Sequence, residues 1–162
     1  MSTPLSKPDL TDLTSLGDSG SPLMPYVGFL LSKAALKVSQ QVDISLEPFA
    51  IQVRHYGVLL FLSQINTTVS QKEIGERLWI DRNTMVSLID HLEAQGLAVR
   101  TRDPKDRRSY AISITEKGRT VVQQADQVVG EADAQFTEAL TSDELEQFTK
   151  LLVKLLTGAQ GD

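Results

Sequence analysis

The residues best placed to do chemistry in this sequence are cations. From Ser70 to Arg119 there are ten basic residues: Lys72, Arg77, Arg82, Arg100, Arg102, Lys105, Arg107, Arg108, Lys117 and Arg119. The same span holds eight acids, a local excess of +2, whereas the rest of the chain has six basic and thirteen acidic residues, a deficit of −7. The net charge of −5 therefore conceals a basic middle segment, and a polyanion senses the local field of the surface it meets, not the overall isoelectric point. The densest stretch is Lys105-Asp106-Arg107-Arg108, set behind the turn-forming Asp103-Pro104. A guanidinium at the tip of such a turn suits a narrow, electronegative groove. Asp106 can hold Arg108 in place by a charge-assisted hydrogen bond, while Lys105 and Arg107 add attraction for phosphate. A mobile charged hairpin is the plainer reading of the same residues.

Upstream, Asp81 precedes Arg82, Asn83, Thr84 and Ser87. Short polar side chains in the first turns of a helix can reach base edges in a major groove. Arg82, beside the helix start, suits a phosphate, because backbone N–H groups there also favour anions. Ser70 and Gln71 open the preceding helix and are further phosphate candidates, although capping alone accounts for Ser70. The plainer alternative throughout is a solvated helix face.

Catalysis fares worse. The two histidines, His55 and His91, fall on different helices with no nucleophile or carboxylate at a suggestive spacing, and there is no cysteine and no glycine-rich phosphate loop. No enzyme activity, cofactor or metal site is expected, and transition-metal ligands are scarce. The first residues lack a signal-peptide pattern, and no apolar run approaches the roughly 18 residues needed to cross a bilayer. A cytoplasmic protein without membrane attachment is the expectation.

These candidates need elements to position them. Residues 1–25, rich in Ser, Thr, Pro, Gly and Asp, read as a mobile tail. Apolar spacing predicts an amphipathic helix over 26–42 and a central, buried helix over 52–64. Ser70 followed by Glu73 is a capping-box pattern opening a helix over 71–78. Asp81 caps a helix over 82–95 that stops at Gly96. Trp79, in the short turn between them, is read as a plug for that turn. Two alternating segments follow, Leu97–Arg102 and Tyr110–Thr115, each with one buried face. A long helix from 115 to 140 and a last helix capped by Thr141-Ser142-Asp143-Glu144 complete the chain.

Helix-turn-helix followed by a hairpin is a winged helix, so the fold class is mainly α (α+β). The expected divisions are a tail over 1–25, an N-terminal dimerisation helix and linker over 26–50, a winged helix-turn-helix domain over 51–118, and C-terminal dimerisation helices over 119–162. The terminal helices carry more apolar surface than a winged helix needs to close its core. Pairing with a second copy removes that surplus, and a two-fold homodimer can read two half-sites of double-stranded DNA.

The same residues carry a resemblance. Ile51–Leu62 resembles the second helix of the MarR family of multiple antibiotic resistance regulators. Leu78–Leu97 follows that family's recognition-helix pattern, and Arg102–Gly118 resembles its wing signature. The resemblance spans roughly Tyr26 to Leu156. It implies a triangular dimer, a near-palindromic operator, and repression relieved by a small molecule of aromatic or phenolic type. It also supports the pairing of Asp106 with Arg108. Ser87 and His91 stand where many members place arginines, and His55 replaces a usual Gln, so operator and ligand do not carry over. In this architecture Arg54, His55 and Tyr56 border a crevice where an effector could bind, Arg54 meeting a carboxylate or phenolate. A core Tyr and a hydrogen-bonded His are an equally good account. A winged helix used only for protein contact, or one that binds DNA without a ligand, are the alternatives.

Overall fold

A computed structural model describes residues 26–65, 67–102 and 110–158. The order is α1 (Val27–Leu46), a 3-10 turn (Glu47–Phe49), α2 (Val53–Ser63), β1 (Val69–Ser70), α3 (Gln71–Leu78), α4 (Arg82–Ala94), β2 (Ala98–Arg102), β3 (Tyr110–Ile114), α5 (Glu116–Phe136) and α6 (Ser142–Thr157). The chain divides into two units, one ending at Gln40 and one beginning at Gln41. The described part of the first is the N-terminal three-quarters of α1, where Val27 and Leu36 are exposed. No helix among the described residues is long and apolar enough to cross a membrane.

The second unit is built around α2. Its Val58, Leu59 and Leu62 are sealed from solvent together with Leu46, Ile74, Met85, Ile89, Leu92, Leu97 and Ile112. The expectation of a central buried second helix holds, because its apolar residues occupy more than one side. α1 runs four residues past its expected end, as Val42 and Leu46 are both buried, and it gives way only at the Pro48 turn. Asp43, in that extension, accepts a hydrogen bond from the Val53 N–H (2.7 Å) and so caps α2 from a distance.

The sheet has three antiparallel strands in the order β1-β3-β2. β2 and β3 pair from Ala98↔Ile114 to Arg102↔Tyr110, the expected hairpin. β1 was not expected. Its two residues, paired Val69↔Ile112 and Ser70↔Ala111, are too few to show an alternating pattern. α5 begins tight against the residue entering β2: a Cβ on Gly118 would lie 2.2 Å from the Leu97 carbonyl oxygen, so only glycine fits.

The caps follow the sequence with one difference. Asp81 accepts from the N–H groups of Asn83 and Thr84, and Gly96 takes a left-handed backbone. Thr141 and Glu144 form a reciprocal box. Ser70 Oγ accepts from the Glu73 N–H, but Glu73 turns toward Arg77, one turn on, instead of completing the box.

Trp79 corrects the sequence reading. It does not plug the turn: its backbone is left-handed (φ 54°) and its side chain is 72 % exposed. The close approach of Gly75 to the Ile80 carbonyl, 2.8 Å from where a Cβ would be, closes the turn instead.

His55 and Tyr56 are core residues with partners. His55 is 8 % exposed, and its Nδ1 accepts from the Gln52 N–H at the start of α2. Its ring centroid lies 4.4 Å from that of His91 on α4, whose Nε2–H donates to the Ala50 carbonyl. The Tyr56 hydroxyl donates to Asp126 of α5, and burial and this bond push its pKa up to about 12. Burial, then the neighbouring His91, push His55 down from 6.5 to about 4, against the pull of Asp43. The folded protein thus holds His55 neutral where the unfolded chain takes up a proton. We predict full stability from this group above pH 6.5, lost progressively as pH falls toward 4. Thermal melts between pH 8 and 4 check this against His55→Gln, which cannot titrate and should flatten that part of the curve; identical pH slopes for the two proteins would contradict it.

Candidate nucleic-acid interface

α4 separates its faces cleanly. Met85, Leu88, Ile89 and Leu92 are buried, while Arg82, Asn83 and Ser87 are exposed and Thr84 is half-buried. The candidate base-reading residues therefore share the face turned away from the core, at the helix end capped by Asp81. Thr84 and Asn83 hold the Asp81 carboxyl below the usual carboxylate range. Ser87 Oγ donates weakly to the Asn83 carbonyl (3.4 Å) and leaves its lone pairs to solvent. Ser70 and Gln71, half-buried, open α3 next to β1. Arg82 has no acidic partner among the described residues.

The wing is β2 and β3. The segment joining them, with Lys105, Asp106, Arg107 and Arg108 and the expected Asp106–Arg108 pairing, lies outside the described residues. What fixes the wing's base is a residue that sequence reading counted only as charge. Arg100, on β2, places Nη2 2.5 Å from Asp90 Oδ1 and Nη1 3.2 Å from Glu93 Oε2, both on α4. Nη2 also donates to the Val86 carbonyl, and the Arg100 N–H donates to Glu93 Oε1. The Arg100 side chain is only 20 % exposed. A signal was present: in the alternation of β2 this arginine shares a face with buried Ala98, and a cation on a core-facing position requires partners. Which acids answer it depends on the fold.

Arg100 is thus neutralised internally. Arg119 donates to the Ser63 carbonyl and Lys117 to the Gln95 carbonyl, so part of the basic excess serves the domain's own joints. The pairs Lys72–Glu76 and Arg77–Glu73 are exposed and one helical turn apart, too solvated to withhold either cation from a phosphate.

Of the candidate effector residues, His55 and Tyr56 are inside the core and Arg54 is exposed. Arg54 lines an open hollow of about 370 Å3 with Val53, Gly57, Leu78, Trp79, Ile80 and Asp81. Among the described residues no three His, Cys, Asp or Glu side chains gather as a metal site would require.

Comparison with known proteins agrees with this layout. A family model described as MarR family matches residues 51–109. A MarR-family transcriptional regulator from Rhodococcus sp. RHA1 superposes with a TM-score of 0.76 at 32 % identity, over 82 % of this chain and 94 % of that one. The transcriptional repressor CouR, solved on a 23-mer DNA duplex, gives 0.74 at 30 % identity over 93 % and 99 %. CouR from Rhodococcus jostii RHA1 bound to p-coumaroyl-CoA gives 0.73 at 31 % over 86 % and 98 %. The match covers the winged helix and the helices flanking it, and the chain belongs to the MarR family of transcriptional regulators.

Proposed function

We propose that this chain is a cytoplasmic, sequence-specific DNA-binding repressor, not an enzyme, that grips a pseudo-palindromic operator as a homodimer and leaves it on binding a small aromatic or phenolic ligand. The observation that carries the DNA reading is the exposed polar face of α4, tied by Arg100 to β2, the strand that precedes Lys105, Arg107 and Arg108 in the sequence. In this reading Asn83, Thr84 and Ser87 meet base edges, while Arg82, Ser70 and Gln71 meet phosphates. Arg108, steadied by Asp106, enters the minor groove. The duplex-bound state of CouR supports it, and that protein's complex with a phenolic thioester supports an effector of similar chemistry. Of the effector candidates, Arg54 is the one open to a ligand without opening the core; His55 requires the α2–α4 packing to yield and Tyr56 the α2–α5 packing.

The dimer reading rests on α6. None of its residues is buried, and Leu151, Leu155 and Leu156 are 51 %, 65 % and 60 % exposed. An apolar stripe of this kind left in water calls for a partner, and a second copy with the same stripe supplies it. We divide the chain as the sequence indicated, with dimerisation helices on either side of residues 51–118.

Two measurements check this. Selection from a random DNA pool should recover near-palindromic duplexes, and Arg108→Ala should weaken binding to them by about 1–3 kcal/mol. Recovery of no duplex at low salt would leave a protein-interaction module as the better reading. Sedimentation should give twice the 17.8 kDa chain mass, and Leu151→Glu with Leu155→Glu should release single chains that still fold. A wild-type protein that sediments as a single chain would refute the dimer.

A further inference from the structure

Trp79 combines two costs that nothing in the core explains. It is the sole tryptophan, it is 72 % exposed, and it occupies a left-handed backbone (φ 54°) that favours glycine. Its indole packs no core, and its position in the turn needs no side chain. Backbone outliers of this kind gather at functional surfaces.

Its neighbours indicate what that surface is for. Trp79 lies two residues before Asp81, the cap of the recognition helix, and shares an open hollow with Arg54 from the first turn of α2. Arg54 has no acidic partner among the described residues. Asp81 also lines the hollow, but its carboxylate is turned onto the N–H groups of Asn83 and Thr84. The start of a recognition helix is the end that enters a major groove, with the sugar–phosphate strand running past the groove's rim. What flanks that start meets backbone.

We propose that the Arg54–Trp79 hollow is a clamp for a phosphate of the DNA strand bordering the major groove: the indole N–H donates to a phosphate oxygen while the Arg54 guanidinium supplies charge. The inference rests on the DNA-binding reading above and adds a contact beside the start of α4, where Asp81 lines the same hollow. An indole N–H is a donor only, which suits an acceptor-rich phosphate, and the ring's flat face can lie on a deoxyribose. Because a phosphate carries no sequence information, the clamp adds affinity and register, not base preference.

The single tryptophan makes the test direct. The probe is a duplex recovered from the random pool, titrated into full-length protein while Trp79 emission and its quenching by acrylamide are followed. Bound duplex should shift the emission and cut quenching severalfold. Trp79→Gly should keep or raise the melting temperature, since glycine fits the left-handed backbone, yet weaken the duplex by about tenfold, the scale of a hydrogen bond to a charged group. Arg54→Ala should lower the salt dependence of binding by about one phosphate contact. If the duplex binds with Trp79 still freely quenched and Trp79→Gly unimpaired, the clamp is wrong and the repressor reading stands. A Trp79→Gly protein that loses stability together with affinity would make the tryptophan a structural support and also overturn the clamp. If the wild-type protein binds no duplex at low salt, the functional reading itself fails and takes the clamp with it.

Discussion

The arrangement of the proposed DNA-facing surface depends on one guanidinium. Arg100 leaves β2 toward the protein, not the solvent, and is met there by Asp90, Glu93 and the Val86 carbonyl, all on α4. A charge withdrawn from water this far is tolerated only when its donors are satisfied, and here two carboxylates and a carbonyl answer it. The consequence is mechanical. The strand that carries the wing and the helix that carries the candidate base-reading residues cannot move apart without stranding a half-buried cation. β1 adds a second joint, since Val69 and Ser70 pair with β3 immediately before α3 begins. The α3 start, the α4 face and the base of the wing thus form one body.

That body was largely legible in the sequence because its elements are long or sharply punctuated. The stripes of α4 and α5 and the many-sided apolar run of α2 extend over several turns, and Asp81, Gly96 and Thr141 mark helix ends by local chemistry that needs no tertiary partner. The failures are those of features decided at long range. β1 exists only because β3 lies beside it. The extra turn of α1 forms because Val42 and Leu46 find a core to enter. Trp79 looked like a plug because tryptophans are commonly buried, and the backbone that turns it outward could not be read from its neighbours.

The candidate site was legible in outline and not in its energetics. The ten basic residues marked the segment that folds into α3, α4 and the wing strands, but charge counting cannot separate cations that face outward from those spent on internal joints. Arg100 joins β2 to α4, Arg119 reaches the Ser63 carbonyl and Lys117 the Gln95 carbonyl. His55 met a similar fate. It read equally as ligand residue or core residue, and the fold stacks it on His91 and gives its Nδ1 to the cap of α2.

The claim that the wing and α4 act as one unit is tested most directly by a double-mutant cycle on duplex affinity, pairing Arg100→Met with Arg108→Ala. If Arg100 sets the wing's position, removing it should blunt the value of Arg108, and the two losses should fall short of additivity by about 1 kcal/mol or more. Full additivity, with Arg108 contributing as much without Arg100 as with it, would contradict the account.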